Sequence, residues 1–237
     1  MTPLTGELCV VCGEMLPDLP GYLETSQGRC GLCRRVEMPF AHAAAYGSYA
    51  DGLRELIHLL KYENVRPAAS VLGLMLADAI RRIEPGFASE TVLLLPVPLH
   101  RARLRGRGFN QAGLIASAAL KHFPAGRLRL VSEDLLRQRE TASQTGLTTH
   151  QRRENIRGAF RVSRPQAVAG REVLLVDDVY TTGATVSECA RVLVRAGASR
   201  IWVATVARTL KHSARAAQGK GPRCVEVLDH RPRAVGE

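Results

Sequence analysis

The stretch that decides the fold is VLLVDDVYTTGAT, residues 173–185. Val173 to Val176 form a continuous apolar run, the pattern of a strand buried on both faces of a parallel sheet. Two carboxylates, Asp177 and Asp178, follow side by side. After Val179 and Tyr180 comes a turn-like run, Thr181, Thr182, Gly183, Ala184 and Thr185. Helical spacing then predicts a helix over 184–195, ended by Gly197, and RIWVATVA at 200–207 predicts a further strand. The stretch is therefore a βα unit with like charges at the end of its strand.

The chemistry of that junction narrows what it holds. Free N–H groups at a helix N-terminus favour an anion, and a Thr/Gly turn can wrap a phosphate. Gly183 permits close approach of the backbone, while Thr181, Thr182 and Thr185 supply hydroxyl donors. Phosphate alone does not explain Asp177 and Asp178, which would repel it. They fit a ligand that also carries hydroxyls, or a Mg²⁺ shared with them. A ribose 5′-phosphate has both features. No G-K-[ST] follows, so the stretch is not a Walker P-loop.

Working outward, TVLLLPVP (91–98) reads as a second doubly buried strand. Its end opens into a basic loop with Arg101, Arg103, Arg105 and Arg107 alternating, where open α/β sheets bind ligands. A helix is predicted from about 110 to 121. Upstream, FAHAAAY (40–46) reads as a strand. Leu53, Leu56, Ile57 and Leu60 mark a helix, with Lys61 as a C-terminal cation and Tyr62 as a packed ring. Pro67 restarts a helix with Val71, Leu72, Met75, Ile80 and Ile83 on its apolar face. Residues 137–158 are polar, basic and aperiodic, the signature of a mobile lid. AFRV (159–162) and, late in the chain, CVEVLD read as strands.

Four of six cysteines fall early: Cys9, Cys12, Cys30 and Cys33, as C-x2-C, seventeen residues, C-x2-C. Two such knuckles supply a closed tetrahedral Zn²⁺ site, structural because no position stays open. Two disulfides are the alternative. The N-terminus shows no signal-peptide pattern, and the longest apolar run is too short to span a bilayer and carries Asp78. The chain thus reads as a soluble cytoplasmic protein, a compartment that favours metal over disulfides. Hydrophobic residues at 46% allow a substantial core, and the net charge of +11 favours anionic partners. Aromatic residues are only 5%, which leaves few platforms for stacking nucleic-acid bases.

Residues 173–185 resemble the phosphoribosyl pyrophosphate (PRPP) signature of type I phosphoribosyltransferases: four apolar, two acidic, one apolar, one variable, then Thr-Thr-Gly-x-Thr. With PVPLHRARLRGRGFNQA, QTGLTTHQRRENIRGAF and the four-cysteine module, nearly the whole chain resembles the ComF-type competence proteins. The resemblance implies an α/β fold, a type I phosphoribosyltransferase-like parallel sheet flanked by helices, over 39–237, behind a small zinc-binding module of four cysteines at 1–38.

It also implies roles. Asp177, Asp178 and Arg101 serve catalysis, the carboxylates on the ribose hydroxyls with Mg²⁺. Thr181, Thr182, Gly183, Ala184 and Thr185 hold the 5′-phosphate. Leu99, His100 and Arg101 border the pyrophosphate, with Arg105, Arg107 and Arg152 as further charges and Gln144 on the mobile loop. His100 is a candidate base, although a lone loop histidine is more often incidental. Two functions stay open. One is phosphoribosyl transfer from PRPP to a nitrogen acceptor. The other is a non-catalytic role in DNA uptake, with single-stranded DNA and a helicase or recombination protein as partners and the PRPP site as sensor or relic. Further copies of the chain are a third partner class.

Overall fold

The computed structural model describes residues 1–141 and 148–210. In chain order the elements are α1 (Tyr22–Ser26), β1 (His42–Ser48), α2 (Asp51–Tyr62), α3 (Ala68–Arg81) and β2 (Val92–Pro96). Next come α4 (Arg101–Arg107), α5 (Gln111–Leu120), β3 (Leu128–Leu130), β4 (Leu135–Arg137) and α6 (Thr149–Ile156). The last are β5 (Phe160–Val162), α7 (Pro165–Val168), β6 (Glu172–Tyr180), α8 (Ala184–Arg195) and β7 (Arg200–Arg208). CVEVLD and Gln144 lie outside the described residues.

Five strands form one parallel sheet in the order β1-β7-β6-β2-β3, and β4 pairs with β5 as a separate antiparallel hairpin. The apolar runs alternate faces with the period of a strand. Val173, Leu175, Leu93 and Leu95 join one core with Val186, Cys189 and Leu193 of α8. Leu174, Val176, Val92 and Leu94 join the other with Leu53, Ile57 and Leu60 of α2 and Leu72, Leu76 and Ile80 of α3. Each strand is buried on both sides, which is why its sequence is continuously apolar.

Chain order reverses between β2 and β6: β3 follows β2 outward on one side, and β7 follows β6 on the other. That is the topological switch point of an open α/β sheet, where a crevice opens past the strand ends. Pro96 lies opposite Val176 there, and the Val97 amide donates to the Val176 carbonyl (2.8 Å). The segment after β2 and the acidic end of β6 therefore leave the sheet side by side.

Several local expectations need correction. The basic segment 101–107 is helix α4, not a loop. His100 caps it, its Nδ1 accepting the Ala102 amide (3.4 Å), and Gly108 ends it at φ 78°. Arginine is a good helix former, and one internal glycine, Gly106, does not break seven residues. Residues 137–158 are not without regular structure, although their sequence is aperiodic. Arg137 ends β4, and α6 opens on a capping box in which Thr148 and Gln151 bond each other's backbone. The T-x-x-Q pattern was legible, but with Ile156 as its one buried apolar side chain the helix has no periodicity to read. Val71 is exposed on α3 rather than part of its apolar face.

The N-terminal segment is tied to the sheet edge. The Leu4 amide donates to Tyr46 (2.6 Å) and the Ala43 amide to Val11 (2.8 Å). Gly13 sits at φ 67°, where an added Cβ would lie 2.5 Å from the Ala43 carbonyl, so only glycine fits. Cys9, Cys12, Cys30 and Cys33 belong to the same apolar core as Leu93 and Leu175. Among the described residues no helix is long and apolar enough to cross a membrane.

Candidate functional site

β6 carries its apolar run into the switch point and delivers Asp177 half-buried and Asp178 buried at 4% exposure. Asp177 Oδ1 accepts the Asp178 amide (2.9 Å). After Tyr180 the chain turns through Thr181 and Thr182 to Gly183, the residue before α8, at φ 74°. The Thr182 hydroxyl accepts the Ala184 amide (3.4 Å), and the Gly183 carbonyl accepts the Ser187 amide (2.9 Å). The turn thus opens a twelve-residue helix directly beside two carboxylates.

Gly183 is required by its neighbour as well as by its backbone angle. A Cβ there would lie 2.3 Å from Tyr180 Oη and 2.6 Å from its Cζ. The sequence suggested only that glycine lets a phosphate approach; the structure adds that the Tyr180 ring already fills the space under the turn.

The partner of Asp178 is Lys61, the next-to-last residue of α2, whose ammonium pairs with Asp178 Oδ2. The reading of Lys61 as a helix-terminal cation is thereby corrected: its side chain is 18% exposed and that of Asp178 only 6%. Tyr62 is 67% exposed rather than packed, flanked by the His58 ring (4.6 Å between centroids) and the Arg107 guanidinium (5.5 Å). The two carboxyls respond in opposite directions. Burial, reinforced by the adjacent Asp178 charge, pushes Asp177 well above the ordinary carboxylate range. Burial opposes ionisation of Asp178 too, but the Lys61 charge overrides it and holds that carboxyl low. One firmly ionised carboxylate beside one inclined to take a proton is the consequence.

The four early cysteines converge. Their Sγ atoms all lie within 4.8 Å of one another and all four residues are buried. Tetrahedral thiolates at about 2.3 Å from an ion sit roughly 3.8 Å apart; Cys12 Sγ and Cys30 Sγ are 3.6 Å apart. The Cys30 amide donates to Cys9 Sγ (3.3 Å). The mutual hydrogen bonds of the four thiols pull Cys9 and Cys30 down and push Cys12 and Cys33 up, so it is the convergence of the sulfurs that carries the assignment. The set fits a zinc module of four thiolates.

Comparison with known proteins agrees with this geometry. Residues 107–229 match the phosphoribosyl transferase domain family. The chain is 35% identical to DNA utilization protein YhgH of Escherichia coli O6:H1 over 86% of its length and 85% of the relative's. It is 31% identical to competence protein F of Haemophilus influenzae, covering 83% and 84%. Against competence protein ComFC of Bacillus subtilis identity is 24%, covering 82% and 74%. The chain belongs to the ComF-type phosphoribosyltransferase family. Its α/β sheet with flanking helices is the type I phosphoribosyltransferase fold.

Within this ComF chain, Asp177, Asp178 and Thr181 to Thr185 lie on one continuous segment, with Leu99 and His100 on the strand exit beside it. The α4 arginines diverge around their helix. Arg103 donates to the Thr141 carbonyl (3.2 Å) and Arg107 to Gln111 Oε1 (2.7 Å), while Arg101 and Arg105 are exposed. Arg152 is on α6. Arg137, which the sequence reading passed over, is buried over Phe160 (5.5 Å), bonds the Thr141 hydroxyl, and feels the Asp177 charge. Lys61 and Arg137 are the residues missed. Neither had a local signal: a lysine at a helix end is ordinary until the fold sets Asp178 against it, and an arginine in a short strand until the fold buries it over Phe160.

Proposed function

We propose that this ComF-family chain binds PRPP, or a related ribose 5-phosphate, at the acidic end of β6 and transfers its phosphoribosyl group to a nitrogen acceptor. The observation that carries the reading is the continuity of Asp177, Asp178 and the Thr181–Thr185 turn at the switch point of a parallel sheet. In this reading the two carboxylates meet the ribose hydroxyls. Thr181, Thr182, Gly183, Ala184 and Thr185 take the 5′-phosphate through backbone N–H and hydroxyl donors. Leu99, His100 and Arg101 border the pyrophosphate, with Arg105, Arg107, Arg152 and Gln144 as further contacts.

The acceptor nitrogen forms a bond to C1 as the C1–oxygen bond to pyrophosphate breaks, so the sugar passes through an oxocarbenium-like state. The protein's tasks are to orient the two partners and to neutralise the departing charge. Mg²⁺, held through the hydroxyls and the carboxylates, would supply part of that neutralisation. Zn²⁺ on Cys9, Cys12, Cys30 and Cys33 has no open position and is structural. Residues 1–38 form that module and 39–237 the phosphoribosyltransferase-like domain.

Calorimetry with PRPP and Mg²⁺ tests the reading. Because bound Mg²⁺ would favour the ionised form of Asp177, Asp177→Asn is expected to weaken binding by about 1.5–3 kcal/mol through loss of a charge-assisted hydrogen bond. Wild-type affinity in that variant refutes the hydroxyl contact, and absence of pyrophosphate release with every base tried refutes transfer. For the metal, Cys12→Ser is expected to lose Zn²⁺ by elemental analysis under reducing conditions. Zinc at full occupancy in the variant, or none in the wild type, overturns the assignment.

A second reading, handling of single-stranded DNA together with a helicase or recombination partner, is favoured by the DNA utilization and competence names of the relatives, by the net charge of +11 and by the exposed Arg101 and Arg105. Fluorescence anisotropy with a labelled oligonucleotide tests it. Binding should fall with salt by about 0.7 log units per log unit for each phosphate contacted. PRPP at fixed ionic strength should compete if the surface is shared.

A further inference from the structure

Four buried groups connect the cysteine cluster to the Thr/Gly turn. Tyr180 and Arg208 face each other across β6 and β7, and the Arg208 guanidinium lies 4.3 Å from the centre of the Tyr180 ring. Arg208 also reaches into the cysteine module. Its Nη1 donates to the Cys12 carbonyl, and its Nη2 donates to Glu14 Oε2 (2.8 Å) and lies 3.7 Å from Cys12 Sγ. On its other side the Tyr180 hydroxyl stands where a side chain at Gly183 would begin. Cys12, Glu14, Tyr180 and Arg208 are each at most 4% exposed. The contact runs without a gap from a thiol of the metal cluster to the turn that opens α8.

A buried arginine 3% exposed is costly unless its bonds are met, so this one stays only while the knuckle presents the Cys12 carbonyl and the Glu14 carboxylate. Backbone bonds such as Cys9 amide to Glu14 carbonyl (2.7 Å) fix the knuckle in part, and four thiolates sharing one ion would lock the two C-x2-C loops together. A guanidinium facing a thiolate ligand is the type of outer contact that steadies a metal site. The same guanidinium caps the Tyr180 ring, and the ring packs directly beneath the turn at Gly183.

We propose that Arg208 and Tyr180 are positioning residues that couple the metal module to the phosphate-binding turn, so that metal held by the four cysteines keeps Thr181–Thr185 in the shape that accepts a ribose 5′-phosphate. The ligand half of this statement rests on the PRPP reading above; the mechanical half does not. Coupling between two sites is reciprocal: what metal does for the turn, an occupied turn does for metal.

Hydrogen exchange read by mass spectrometry on the full chain tests the mechanical half. Amides of 181–185 are compared in metal-loaded protein, in protein stripped by a chelator under reducing conditions, and in metal-loaded Arg208→Met, Tyr180→Leu and Tyr180→Phe. Stripping, Arg208→Met and Tyr180→Leu should each speed exchange at the turn by about tenfold, the middle of the usual range for coupled sites. Amides of α3, on the other side of the sheet, should not change, and Tyr180→Phe should stay near wild type because it keeps the ring.

If stripping loosens α3 as much as the turn, the two substitutions decide, since both retain all four cysteines. Unchanged exchange at 181–185 in metal-loaded Arg208→Met overturns the proposal. Ribose 5-phosphate titrated into the same samples forms the second arm. It should bind the stripped chain about tenfold more weakly, and its presence should tighten zinc affinity, read by chelator competition at equilibrium, by the same factor. No binding to the intact wild type refutes the ligand reading, while the exchange arm still judges the coupling.

Discussion

Gly183→Val is expected to destabilise the chain by about 2–6 kcal/mol, combining left-handed strain of about 1–3 with overpacking of about 1–3. Both costs have visible causes. The residue sits at φ 74°, where a β-branched side chain is least tolerated, and its Cβ would overlap Tyr180 Oη at 2.3 Å. The ring cannot swing away easily, because Arg208 covers one of its faces at 4.3 Å. Since the Gly183 carbonyl accepts the Ser187 amide, displacing the turn also frays the start of α8. Urea denaturation measures the loss. Gly183→Ala combined with Tyr180→Leu should recover the overpacking part and leave the backbone part. A Gly183→Val chain as stable as wild type would mean that the ring has room the structure denies it.

The parts of the fold that were legible share one property: their sequence signal is local. The runs at 92–98 and 173–176 are continuously apolar because both faces are covered, and their strands appear where read. α8 begins and ends at the expected residues because glycines at positions 183 and 197 bracket it with positive φ. The cysteine cluster was legible because ligand spacing is set by the geometry of the ion rather than by distant packing.

What was missed depends on contacts between segments far apart in the chain. Arg101 to Arg107 alternate in sequence like a loop, yet seven residues with a histidine cap wind into α4 and send the side chains in different directions. Lys61 is 117 positions from Asp178, and nothing near either residue announces the other. Arg208 reaches a carboxylate 194 positions away. Neutralising both aspartates would therefore do more than relieve repulsion: Asp178 already has a cation, and loss of its charge strands Lys61.

The Lys61 pair gives the second large effect. Lys61→Met should cost about 3 kcal/mol at neutral pH, the lower part of the range for removing one partner of a buried ion pair, because Lys61 keeps some exposure. The dependence on pH identifies the cause. In the wild type the Asp178 carboxyl is held below its ordinary value, so its contribution is present above the unfolded value near pH 4 and is lost as pH falls through the folded one. Without Lys61 the largest remaining influence is burial, opposed only by the hydrogen bonds from Asp177 and from the backbone, so the folded-state value moves up. A carboxyl raised in that way stabilises at low pH and penalises as pH climbs. The stability gap between Lys61→Met and wild type should therefore be widest near pH 8 and narrow toward about pH 5. Asp178→Asn added to Lys61→Met should cost less than the two single changes summed, because the stranded charge disappears. Denaturation curves at the two pH values, with the double variant beside the singles, supply the measurement; a gap constant with pH and strictly additive variants would show that Lys61 acts through its packing and not through its charge.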